Sequence, residues 1–162
     1  MKILYPAIVR KQKPCGYFVR FPDIKEAVTQ GETVEEALFN AGEVLTLALD
    51  HRLGRDREVP LPSVPPTRAY LVAPDAKTQA AILVRLSRGD RSVADLARAL
   101  GTSWPAVARL EDPRHSPTLR NLERTAAALG QRLIVSFEPA RSLGREVDKR
   151  PVRRQRSTAT SR

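Results

Sequence analysis

Carboxylates, imidazoles and a thiol are the groups through which this chain could do covalent chemistry, and in the sequence they do not converge. Asp23 is the only carboxylate beside the end of an expected strand, whereas metal-dependent phosphodiester cleavage needs several carboxylates around divalent ions. Glu35, Glu36 and Glu43 fall on the polar side of an expected helix, where solvation is their ordinary role. His51 and His115 lie in different segments and make no ligand pair. Cys15, the only cysteine, sits beside Gly16 in an expected hairpin loop and reads as an incidental thiol. No Ser-His-Asp set, Gly-rich phosphate loop or metal spacing is present. The expectation is a binding protein with no catalytic residue, no metal and no cofactor.

Contact with a polyanion is the chemistry that the composition favours. The 162 residues carry a net charge of +10, and its distribution is uneven. Residues 1–63 hold nine Lys/Arg against nine Asp/Glu, residues 64–138 eleven against seven, and residues 139–162 eight against two. A neutral front and a basic back imply two jobs, with polyanion contact at the back. Arg91, Arg98, Arg114 and Arg120 lie near the ends or exposed sides of expected helices and suit phosphate contact, which would make binding strongly salt-dependent. A single cysteine permits no internal disulfide and favours a reducing, cytoplasmic setting. Pro6 interrupts the place where an export signal needs its apolar stretch, and no apolar run approaches the roughly 20 residues that span a bilayer.

The elements that position these groups follow from periodicity. Residues 3–10 alternate as a strand, with Ile3, Tyr5, Ala7 and Val9 on one face, and Pro6 assigns that strand to an edge or bulge. Tyr17, Val19 and Phe21 alternate on a return strand, and residues 27–29 read as a short extended piece beside it. Gly31 supplies a turn, Thr33 caps a helix with Glu36 three residues on, and apolar spacing carries that helix to about Arg52, with Gly54 as its stop. The proline-rich stretch 56–67 is irregular, and residues 69–73 return as a strand. Residues 1–73 therefore form an α+β layer, a sheet with one helix on it.

Beyond Pro74 and Asp75, helical signals run over 77–88, 93–100, 104–111 and 118–129, within a unit spanning 74–138. The second and third are joined by a three-residue turn containing Gly101, the helix-turn-helix arrangement. Residues 131–137 alternate Leu133, Val135 and Phe137 against Arg132, Ile134 and Ser136. They read as a strand that pairs with its twin across a two-fold axis, or that folds back on its own domain. Residues 139–162 read as a basic disordered tail.

Two resemblances sharpen this reading. The front, in Tyr5-Pro6-Ala7-Ile8, in Gly16 through Asp23 and in Thr29 through Ala37, resembles HicB-type antitoxins, which neutralise a partner ribonuclease toxin. That resemblance implies a small partial ribonuclease-H-like domain that covers a HicA-like toxin, with Tyr17, Val19, Phe21 and Asp23 on the toxin-binding side. Members of that family usually show Pro-Gly-Cys, or something close, where this chain has Lys25-Glu26-Ala27.

From Ser92 to Glu111 and from Ser116 to Gly130 the chain looks like a phage-repressor (Xre-type) DNA-binding domain. This implies an all-α helix-turn-helix unit with Ser103, Trp104, Ala106 and Arg109 placed toward DNA, and Arg91 and Arg114 beside them. Trp104 stands where a polar residue is usual, so it is either an apolar groove contact or a cap on the small core. The implied function is an antitoxin that also represses its own operon, as a homodimer or higher oligomer with no membrane partner. A stand-alone transcriptional repressor with a small-molecule-sensing front domain is the alternative.

Overall fold

Alternation in the first twenty residues becomes a hairpin, and the helix after Thr33 lies across it. The computed structural model describes residues 1–137; the expected tail at 139–162 lies outside them. The elements are β1 (Tyr5–Lys11), β2 (Tyr17–Arg20), β3 (Val28–Gly31), α1 (Val34–Gly54), β4 (Tyr70–Val72), α2 (Ala76–Arg88), α3 (Val93–Leu100), α4 (Trp104–Leu110) and α5 (Leu119–Ala128). The architecture is α+β, with an antiparallel sheet in the order β3-β2-β1-β4.

Contrary to the expectation from Pro6, β1 is an inner strand of the sheet. It pairs with β4 only over Tyr5, Pro6 and Ala7, and with β2 only from Ile8 to Lys11. Pro6 therefore has a partner on one side alone, and a residue without an N–H is tolerated there as it is on an edge.

Tyr5, Ala7, Val19 and Phe21 turn inward and meet Ala37, Ala41, Leu45, Leu49 and Leu53, the buried stripe of α1 at four-residue spacing. Thr33 caps α1 by accepting from the Glu36 N–H at 3.1 Å. The Glu36 carboxylate reaches back to the N–H of Glu32 at 2.9 Å, one residue before the cap. Gly31 serves a different purpose from the expected turn. It closes β3, and a Cβ there would stand 2.5 Å from the backbone nitrogen of Ala37. Strand and helix approach so closely that only glycine fits. Gly54 also departs from expectation: it is the last residue of α1, and the positive φ after the helix belongs to Asp56 at 51°.

The second half begins on the first half's core. Asp75 caps α2, accepting from the Thr78 N–H at 2.8 Å. Ala81 and Ile82 of α2 enter the same buried cluster as the sheet and α1. Polar contacts reinforce the seam: Thr78 Oγ1 donates to Asp50 at 2.6 Å, and the Asp75 N–H donates to Thr46 at 3.0 Å.

Ser92 and Asp95 form a reciprocal capping box at the start of α3, and Gly101 ends it in the left-handed region at φ 60°. Leu96, Ala97, Val107 and Leu129 close a second, smaller core. Residues 131–137 join no ladder and take no regular structure in the single chain. The expected strand is thus absent here, and it has not folded back on its own domain. A strand is defined by pairing, and these residues pair with no strand of the sheet.

Candidate functional site

Trp104 opens α4 and is 58% exposed. The second core is closed by Val107 and Leu129 instead, so the reading of Trp104 as its cap is set aside. Ser103, the residue before it, is exposed and makes no side-chain cap bond, leaving its hydroxyl available. Ala106 is half-buried one turn in, and Arg109 is exposed farther along. Arg109, Arg91 and Arg120 have no carboxylate partner among the described residues. The start and outer side of α4 thus offer a hydroxyl, an indole and a guanidinium in one short helix.

Arg114 is placed differently from the expectation of a free phosphate ligand. Its Nε and Nη2 donate to the two oxygens of Asp112 at 2.9 and 2.8 Å, and its backbone N–H donates to the same carboxylate at 3.0 Å. These bonds hold the Asp112 carboxyl down to about 2. Arg98 is likewise paired within its helix, with Asp95.

Arg88 ties the end of α4 to α2. This residue closes α2 and donates from Nε and Nη2 to Glu111, just past α4, at 2.5 and 2.9 Å. Its Nη1 also donates to the Arg91 carbonyl at 2.6 Å, fixing the entry to α3. Sequence reasoning missed this clamp because nothing in the local spacing links residues 88 and 111.

On the front half, Val19 and Phe21 are 0% and 2% exposed. They are core residues on the inner sheet face, so the expectation that they touch a toxin is corrected: they shape the sheet and cannot reach a partner. Tyr17 is half-buried at the start of β2. Asp23 is turned to its own chain, accepting from the Ser63 N–H at 3.0 Å. Together with the bond from Tyr5 Oη to the Pro60 carbonyl at 2.9 Å, it pins the proline-rich segment across the sheet end.

The loop after Asp23 is held by a residue that sequence reasoning left unassigned. Arg52, near the end of α1, donates from Nε and Nη2 to Glu26 at 2.6 and 3.0 Å, and from Nη1 to the Glu58 carbonyl at 2.9 Å. The Arg52 guanidinium keeps the Glu26 carboxyl below its usual range. The only available signal was Glu26 itself, standing in the Lys25-Glu26-Ala27 departure.

Among the described residues no group of three or more His, Cys, Asp or Glu side chains could hold a metal ion. Likewise, no helix there is long and apolar enough to cross a membrane. Of the residues expected at a dimer interface, Leu133 is half-buried, Val135 is 60% exposed and Phe137 wholly so.

Comparison with known proteins places these features in a family. Residues 4–81 match the family model described as the HicB-like antitoxin of bacterial toxin-antitoxin systems. Antitoxin HicB 1 of Photorhabdus laumondii is 33% identical over 135 residues, covering 83% of this chain and 86% of the relative. Antitoxin HicB of Escherichia coli K12 is 30% identical over 131 residues, 80% of this chain and 95% of the relative. An uncharacterised 14.9 kDa protein of Haemophilus phage HP1 is 33% identical over 75 residues, covering 46% of this chain and 54% of its own length.

Proposed function

The chain belongs to the HicB antitoxin family, and from that premise we propose that it neutralises a HicA-like ribonuclease toxin by direct binding and represses its own operon by binding operator DNA. In this reading residues 1–73, supported by α2, engage the toxin, and residues 74–138 engage DNA. The protein acts in the cytoplasm by binding rather than by catalysis.

The observation that carries the DNA half is the α3–turn–α4 unit, with Ser103 exposed at the cap of α4 and Trp104 and Arg109 exposed on it. A helix presented this way enters a major groove with its first residues against base edges. Arginine then reads guanine or contacts phosphate, and an exposed indole packs on a thymine methyl or on sugar. Support for a two-fold assembly comes from residues 131–137. Val135 and Phe137, on one face of the alternation, are exposed apolar residues of a segment with no ladder partner in the single chain. Pairing two copies there would bury that face and set two α4 helices about one DNA turn, ~34 Å, apart.

Co-expression with the cognate toxin tests the first half: the full chain restores growth, and continued toxicity with folded antitoxin present refutes it. A mobility shift on the operon's own promoter DNA tests the second. Ser103→Ala with Arg109→Ala weakens operator binding by about 1–3 kcal/mol for each base-reading side chain removed. Val135→Pro removes a ladder donor and yields monomers that bind operator poorly. A Val135→Pro protein that still sediments as a dimer refutes the pairing.

A further inference from the structure

The outward side of α1 is an acidic face studded with two large apolar side chains. Phe39 and Leu47 are 69% and 68% exposed. They alternate with Glu35, Glu43 and His51, all exposed, along a ridge of four-residue steps. Residues four apart on a helix are neighbours on one face, so the ridge is continuous for four turns. Neither Lys nor Arg occurs from residue 26 to residue 50, whereas Glu26, Glu32, Glu35, Glu36, Glu43 and Asp50 do. This is the reverse of the rest of a chain with net charge +10.

The inner stripe of α1 already fills the core through Ala37, Ala41, Leu45, Leu49 and Leu53. Phe39 and Leu47 stand outside that stripe, on the solvent side of the same helix.

We propose that this ridge, with Phe39 as its anchor, is the surface on which the toxin docks; the inference rests on the toxin-binding reading above. Charge complementarity selects the occupant. A ribonuclease must hold a polyanion and so presents a basic face. A carboxylate-lined ridge with no cation competes for that face as RNA does, while Phe39 and Leu47 fill apolar hollows between the basic side chains. A second copy of this chain is disfavoured, because its ridge carries the same carboxylates and brings no complementary Lys or Arg. The ridge also takes over the role that the buried Val19 and Phe21 cannot fill.

The test uses the full chain and its cognate toxin, carried as an inactive variant so that it can be purified. Wild type, Phe39→Ala and Glu35→Lys/Glu43→Lys are compared by titration calorimetry, with operator binding and circular dichroism as folding controls. Phe39→Ala weakens toxin binding about 30-fold, a drop typical of removing an interface anchor. The double charge reversal weakens it about as much at low salt and less at high salt.

Both variants are surface changes and keep their operator affinity. Wild-type affinity in both variants overturns the ridge while leaving the antitoxin reading intact. A wild-type chain that binds no toxin overturns both. Two other results assign the ridge elsewhere and overturn the proposal: a change in sedimentation of the variants alone, which gives it to a second copy, or loss of binding to a peptide of residues 138–162, which gives it to the chain's own basic end.

Discussion

Arg88 and Glu111 join α2 to the end of α4 through two parallel bonds, at 2.5 and 2.9 Å, with side chains only 16% and 11% exposed. Because Ala81 and Ile82 of the same α2 are embedded in the core of the sheet and α1, this pair ties α4 to the front half of the molecule. Charge-assisted bidentate bonds of this kind fix orientation as well as adding energy.

Breaking that pair should therefore cost stability and operator binding together. Glu111→Ala leaves a largely buried guanidinium without its carboxylate. It should destabilise the fold by about 2 kcal/mol, less than the roughly 3–5 of a fully buried pair because water reaches the rim. Urea unfolding measures the first effect and a mobility shift the second. An unchanged urea midpoint with unchanged operator affinity contradicts the clamp.

Freeing Arg114 should strengthen DNA binding, not weaken it. With Asp112 occupying its guanidinium, Arg114→Ala is nearly silent, whereas Asp112→Asn releases a positive charge beside α4. One added phosphate contact steepens the dependence of log affinity on log salt by about 0.9. Filter binding across a salt series reads that slope. A large drop in affinity with Arg114→Ala and no gain with Asp112→Asn would place the guanidinium on phosphate after all.

Alkaline pH should loosen the proline-rich segment through Tyr5. Burial, and then the charge of Asp23, push its phenol up to about 12. The unfolded chain releases that proton near pH ~10. The folded state thus holds the proton more tightly, so this stabilisation is complete below about pH 10 and is lost as pH rises toward about 12. Tyr5→Phe lacks the titration and the bond to Pro60. Between about pH 10 and 12 the wild-type unfolding midpoint should fall toward that of Tyr5→Phe; parallel curves contradict the assignment.

Local chemistry made much of the fold legible. Ser92 with Asp95 at one end and Gly101 at the other bound α3 at the residues expected, because capping is decided within one turn. Likewise, alternation found the inner face of β1 and β2. What alternation cannot tell is whether a face meets a helix of its own chain or a partner, so it gave no check on the resemblance that set Val19 and Phe21 against a toxin.

Tertiary neighbours hid the rest. Gly31 is demanded by Ala37 across the strand–helix gap, and Arg52 finds Glu26 from 26 residues away. The exposure of Trp104 depends on Val107 and Leu129 filling the small core without it. Residues 131–137 alternate as a strand does but join no ladder, because alternation by itself supplies no partner.

In the function proposed above, this chain silences a ribonuclease by occupying it. The most direct measurement is a titration of the purified full chain into the active cognate toxin, with cleavage of a labelled RNA as the readout. Cleavage should decline linearly and vanish at a fixed stoichiometric ratio, and Phe39→Ala should shift the curve to higher concentrations. Undiminished cleavage at a large excess of folded chain would rule out neutralisation by direct binding.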